Sequence, residues 1–272
     1  MDRVILNETS LRRPRFADDA KQHLRVVHAL LLRDIQTRVG ASYLGFFVSL
    51  LFPLAHIAIL LIIYIGIGRT APIGTNVTLY LASAIVPFIV WSYSHQKVML
   101  AFQQNKALTA FPAVKLIDIF VARALVEAIN SALIVASVAA TLFAFGVDLF
   151  ISAPPQVFLA LVMAYLLGIS TGLTFGMLSL AMPSAAIAGF LMIPLYWITC
   201  GNFFIPDALP ERLRQAVAVF PVAHIVDYTR INLYPSYLSD FSSLTYVALV
   251  AAGNLLLGLL AQRLFINSLL SK

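Results

Sequence analysis

The sequence predicts an all-α membrane protein: an N-terminal amphipathic interfacial helix, six transmembrane helices, and re-entrant helices between the fifth and sixth. Three observations carry this. The 272 residues are 61% hydrophobic and 11% charged, whereas a soluble domain carries about a quarter charged residues and avoids large exposed apolar patches. Six apolar runs approach or exceed the length of about 20 residues that a membrane-spanning helix needs. Threading those six runs puts fourteen of the eighteen basic residues on one side, the asymmetry expected of the cytoplasmic face.

Residues 1–23 are polar and mixed in charge, with no apolar run. They read as a cytoplasmic tail without a cleavable leader, so the first span is an uncleaved anchor. Over 24–40, Leu24, Val27, Leu31 and Ile35 recur at spacings of three and four, with Arg25, Arg33 and Gln36 away from that stripe. Such a cationic amphipathic helix beside a span lies in the membrane interface. A plain lipid anchor explains the same pattern.

The segment 41–272 forms the membrane domain, with spans at about 44–67, 78–100, 119–145, 156–181, 186–205 and 243–266. Both termini are placed in the cytoplasm. The connection 103–116, "QQNKALTAFPAVKL", mixes apolar and basic residues on the positive side. The segment 207–234 is semi-apolar and rich in Pro and Tyr, unlike a solvated loop. Two helices at about 208–219 and 222–233, broken at Pro221, are each too short to cross and re-enter the membrane.

Several signals exclude chemistry. A single Cys (Cys200) excludes an intramolecular disulfide, and the five His are scattered, so no metal site is read. No G-x-x-x-x-G-K-[ST] is present, so no P-loop binds ATP in this chain. "GISTG" at 168–172 matches a hydrolase elbow but lies within an apolar helical run. Gly168, Gly172 and Gly176 read instead as a ladder for close helix approach. The net charge of +6 follows from positive-inside bias, with no nucleic acid implied. Asp118, Arg123 and Glu127 open the third span. Charges there must be paired or face water, and Arg123 and Glu127 are four apart on one face. A structural ion pair or a coupling role fits them.

Four stretches carry a resemblance. "RDIQTRVGASYLGFFVSLLFPLAH" (33–56), "NKALTAFPAVKLIDIFVARALVE" (105–127) and "GNFFIPDALPERLRQAVAVFPVAHIVDYTR" (201–230), with "GRTAPIGTNVTLYLASAIVPF" (68–88), resemble permeases of ABC-2-type exporters, most of all the capsular-polysaccharide subgroup. The likeness runs from Leu30 onward. Val39 departs where an aromatic residue is common, and Phe47 where Trp is frequent.

The resemblance implies a homodimer with one pore and a dimer of separate ATPase subunits that bind ATP and Mg. This chain would carry no cofactor and no enzymatic activity of its own. It also implies a lipid-linked anionic glycan as cargo, the inner membrane of a Gram-negative cell as location, and a periplasmic adaptor with an outer-membrane channel as partners. In that frame, 24–40 is a gate helix, and Gly40 is its joint to the first span. Arg33 and Arg38 offer charge-assisted hydrogen bonds to the anionic cargo. Tyr43, Trp91 and Tyr93 guide sugars near the cytoplasmic side, although an interfacial aromatic belt explains these rings equally. Asn105, Lys106, Leu108, Phe111 and Lys115 form the coupling surface for the ATPase, with Pro112 ending a short helix. A permease for O-antigen or teichoic-acid-like polymers is the alternative of the same class. A membrane transferase would need a catalytic constellation that is absent from the sequence. An ion-coupled transporter would place ionisable residues in mid-membrane, where the fourth to sixth spans carry none before Arg263.

Overall fold

The computed structural model describes the backbone of residues 16–40 and 43–270, and the side chains of 19–36 and 51–264. Among the described residues, nine α-helices follow in order: α1 (Phe16–Gly40), α2 (Tyr43–Gly66), α3 (Val77–Gln104), α4 (Leu116–Ala144), α5 (Pro154–Ala181), α6 (Ser184–Thr199), α7 (Glu211–Val217), α8 (Pro221–Leu233) and α9 (Leu244–Leu270). Short 3-10 turns occupy Lys106–Ala110 and Pro206–Ala208. No strand occurs among the described residues.

Among the described residues, four helices are long and apolar enough to cross a membrane: Val77–Gln104, Leu116–Ala144, Pro154–Ala181 and Leu244–Leu264. The chain is therefore a multi-pass membrane protein. α2 has 24 residues, about 36 Å at 1.5 Å per residue. α6 has 16 residues, about 24 Å, and falls short of a hydrocarbon core of about 30 Å.

α3 is the central post. Tyr80, Leu81, Ile85, Ile89, Trp91, Val98 and Phe102 are all fully enclosed. It packs most closely on α5, and glycine makes that approach possible. A Cβ on Gly168 would stand 2.7 Å from the Trp91 carbonyl oxygen, and one on Gly172 would stand 2.7 Å from the His95 carbonyl oxygen. A Cβ on Gly176 would meet the Phe102 ring at 2.5 Å. The ladder read from the sequence is thus the α3–α5 seam. Ser170, the serine of the hydrolase-like motif, sits in mid-helix and is buried, donating to Leu167 O at 3.0 Å. No nucleophile elbow exists there. α9 closes on the other side of α5, where Thr174 Oγ1 donates to Asn254 O at 2.6 Å.

α1 begins earlier than the sequence pattern suggests, at Phe16. The face it turns to protein is offset from the apolar stripe expected to meet acyl chains. Val27, Leu30 and Asp34 turn inward, while Leu24 is 65% exposed. The displacement has a physical cause. Val27 and Leu30 join Leu116, Ile119 and Phe120 of α4 in one apolar cluster, so protein contact sets the face in place of the interface alone.

Candidate functional site: a polar network between α1, α4 and the loop after α3

The site begins with a charge that the fold must neutralise. Glu127 on α4 is fully buried, and Arg123 one turn earlier reaches it through Nε at 3.1 Å. Asn130, three residues on, donates to Glu127 Oε2 at 3.3 Å. Arg123 also donates from Nη1 to Asp34 of α1 at 3.2 Å. The expected i,i+4 pair therefore extends to a second helix, which the sequence did not reveal. Buried charges persist only when paired in this way.

Asp34 accepts a further bond from Arg33 Nη2 at 2.9 Å, and the same Nη2 donates to Asn105 Oδ1. Asn105 ends α3. Its side chain donates to Ala101 O at 2.8 Å, and its carbonyl accepts from Leu108 N at 2.9 Å, which starts the 3-10 turn Lys106–Ala110. At the start of α4, buried Asp118 accepts from the Lys115 backbone N–H at 2.8 Å and pairs with His23 of α1. α1 is thus tied at two heights to α4, and through Asn105 to the turn that follows α3.

The anticipated residues divide into groups. Arg33, Asn105, Asp118, Arg123 and Glu127 come together in this network. Lys106, Leu108, Phe111 and Lys115 lie on the adjoining loop. Lys106, Phe111 and Lys115 are exposed, Phe111 at 61%, and Leu108 is partly covered. The 3-10 turn stops at Ala110, just before Phe111 and Pro112. Arg38 lies in α1 and Tyr43 at the start of α2, and their side chains lie outside the described set, as does that of Phe47.

Trp91 departs from the expectation. It lies midway along α3, because that helix continues to Gln104, and it is fully buried. Its ring stacks on Tyr196 at 4.5 Å and on His95 at 5.4 Å. In this conformation it offers no surface to a sugar. Tyr93 is half-buried, 6.2 Å from the ring of Phe52 on α2. Phe52 belongs to an aromatic run across α2 and α6 that sequence reasoning did not assemble. Trp197 Nε1 donates to His56 Nε2 at 2.7 Å, and Phe203 meets Trp197 edge-on at 5.2 Å. His56 and Trp197 lie in different apolar runs, and nothing local marks them as a pair.

The opposite end of the bundle holds a second polar construction. The turn after α6 presents four successive carbonyls, and each finds a side-chain donor. Gly201 O accepts from Arg230 Nη2 (2.9 Å), Asn202 O from Tyr64 (2.9 Å), Phe203 O from Arg69, and Phe204 O from Arg230 Nη1 (3.2 Å). Arg230 is fully buried and also lies 4.2 Å over the Tyr80 ring. Gly201 adopts φ +93, a region that favours glycine.

The fold is that of a multi-pass helical membrane protein with α1 pinned beside a partly exposed loop. The family model for "ABC-2 type transporter" matches residues 25–234, more than three quarters of the chain, and the chain belongs to that family. It is a transport subunit and not an enzyme. Two Escherichia coli proteins described as polysialic acid transport protein KpsM are similar to it. They are 29% and 28% identical over 239 residues, covering 87% of this chain and 92% of each relative. The capsule polysaccharide export inner-membrane protein CtrC of Neisseria meningitidis serogroup B is 24% identical over 258 residues, 92% of this chain and 94% of the relative.

Proposed function

We propose that this chain is the permease of an ABC exporter that carries a lipid-linked anionic capsular polysaccharide from cytoplasm to periplasm across a Gram-negative inner membrane. The observation that carries the proposal is the similarity to capsule and polysialic acid exporters along about nine tenths of the chain. α2, α3, α4, α5, α6 and α9 serve as six spans with both termini cytoplasmic, as the basic-residue bias favours. The shortness of α6 supports membrane depth for the turn after it. Non-helical backbone within a bilayer must be satisfied by protein, and all four carbonyls of 201–204 are. α7 and α8 then re-enter from the periplasmic side. Their brevity, 7 and 13 residues, and the burial of most of α8 support this.

The chain works as a homodimer with one pore. Each copy docks an ATPase subunit that binds ATP and Mg, through Asn105, Lys106, Leu108, Phe111 and Lys115. A periplasmic adaptor and an outer-membrane channel receive the polymer. Arg33 and Arg38 hold the anionic cargo at the cytoplasmic mouth, with Tyr43 and Tyr93 as sugar-packing rings. Trp91 contributes from beneath, by fixing Tyr196 and His95. The reading is tested by surface glycan per unit of membrane-inserted permease. The Arg33→Ala, Arg38→Ala double variant is expected to lose export while inserting normally. Wild-type export from that variant would end the capture model. In the same cells, Leu108→Asp with Phe111→Asp is expected to abolish ATPase co-purification.

A further inference from the structure

Arg33 stands where two proposed functions meet, and its donors divide between them. A guanidinium has five N–H groups. The two on Nη2 are spent, one on Asp34 Oδ1 and one on Asn105 Oδ1. The three on Nε and Nη1 have no partner among the described residues, and the side chain is 39% exposed. One side chain can therefore bind an oxyanion without first releasing the protein contacts it already makes.

The protein side of that contact is strategic. Asn105 Oδ1 accepts from Arg33, while its Nδ2 donates back to Ala101 O and its carbonyl starts the 3-10 turn at Lys106. Any shift of Arg33 moves the acceptor that ends α3 and begins the coupling loop. The rest of α1 is braced, since Asp34 is tied to Arg123 and His23 to Asp118. A displacement of Arg33 is thus passed to Asn105 rather than dissipated by a rigid shift of the helix.

We propose that Arg33 and Asn105 together link substrate occupancy to ATPase docking, with Asn105 as the positioning residue: an anionic glycan on Arg33 changes the affinity of the coupling loop for the ATPase. This rests on the capture role of Arg33 proposed above. Linkage then requires reciprocity. The ATPase must change glycan affinity by the same factor that the glycan changes ATPase affinity.

The experiment uses full-length permease in lipid nanodiscs. A short sialic acid oligomer is the anionic probe and the cognate ATPase the partner. Glycan affinity is measured with and without ATPase, and ATPase affinity with and without glycan. The expected wild-type result is the same factor in both directions, about fivefold or more. Asn105→Ser removes the acceptor that reaches Arg33 but keeps a small polar residue at the helix end, and it should bring the factor close to one. Asn105→Asp keeps the acceptor and adds charge, and it should raise the factor above wild type. A wild-type factor of one overturns the inference, and so does an unchanged factor in Asn105→Ser. If Asn105→Ser does not insert, Asn105→Asp decides alone, and a factor no greater than wild type overturns it. The capture reading fails separately, if Arg33→Ala binds the oligomer as well as wild type does.

Discussion

At the α1 end, Arg123 is held between two carboxylates, Asp34 of another helix and Glu127 of its own. At the α8 end, Arg230 is held by two backbone carbonyls, the Ser83 hydroxyl and the face of Tyr80, with no carboxylate in salt-bridge range among the described residues. Both arginines are enclosed, yet the two arrangements differ in what they permit. Carboxylates and guanidiniums can exchange partners, and Arg33 and Arg123 already share Asp34. The carbonyls of Gly201 and Phe204 share one further donor, the Tyr80 hydroxyl at 3.3 and 3.2 Å, and its single proton cannot serve both, so moving Arg230 strands buried backbone. On the proposed topology, the exchangeable network faces the ATPase and the fixed clamp faces the periplasm. On that topology the molecule would respond at one mouth and hold still at the other.

The comparison is broken most directly at Arg230. Arg230→Met is expected to cost about 3–4 kcal/mol, since the Tyr80 hydroxyl can serve only one of the two carbonyls, the other loses its donor at about 1–3 kcal/mol, and the ring contact goes too. Thermal melting of the detergent-solubilised protein, with the yield of inserted protein, reads the loss. No change at a second side chain should rescue it, because the acceptors are backbone. Glu127→Leu is expected to cost about 3 kcal/mol by leaving Arg123 short of a partner, somewhat eased because Asp34 remains. Here rescue is expected. Adding Arg123→Met should recover most of the loss, since an apolar replacement for a buried pair is often close to neutral. Failure of rescue at Arg123–Glu127 would erase the distinction between the two ends.

Between the ends runs the α3–α5 seam, and there the sequence was most legible. Gly168, Gly172 and Gly176 repeat every four residues, and a helix period needs no long-range information. The apolar runs were readable for the same reason, as was the Arg123–Glu127 pair. Contacts between distant residues were hidden. Asp34 and Arg123 are 89 apart, and either could have been solvated. The 201–204 clamp was invisible because its acceptors are backbone atoms, which no residue type announces. Trp91 was misplaced because α3 is apolar nearly all round. In a membrane bundle, hydrophobicity does not separate the faces toward lipid, protein and pore. Leu24 was placed on the apolar stripe toward acyl chains, and the packing of Val27 and Leu30 on α4 could not be read from that stripe. The seam also supplies a control. Gly172→Val would place its Cβ 2.7 Å from a backbone oxygen and should cost about 1–3 kcal/mol by overpacking. It should leave the rescue at Arg123–Glu127 intact. Loss of that rescue would mean that the two ends are not independent of the seam.

The smallest expected effect sharpens the contrast at the α8 end itself. Asp227 lies three residues before Arg230 on the same helix, and an ion pair between them would make this end resemble the other. Asp227 instead accepts from the Tyr237 hydroxyl at 2.6 Å. Burial pushes its carboxyl above the ordinary carboxylate range, against the Tyr237 bond and the nearby Arg230, which both favour the charged form. A raised value in the fold means that the folded state prefers the protonated acid. The stabilisation linked to that proton is fully present below the unfolded value of about 3.9, and it is lost as pH rises through the folded value. Above the folded value the ionised group therefore adds nothing to the fold that an amide could not supply. Asp227→Asn keeps an acceptor for Tyr237 and removes the buried charge. It is expected to melt at or slightly above the wild-type temperature at pH 7, with a flatter pH profile above the unfolded value of about 3.9. A loss as large as that of Glu127→Leu would show that Arg230 depends on Asp227 after all, and both ends would then hold their arginines by charge.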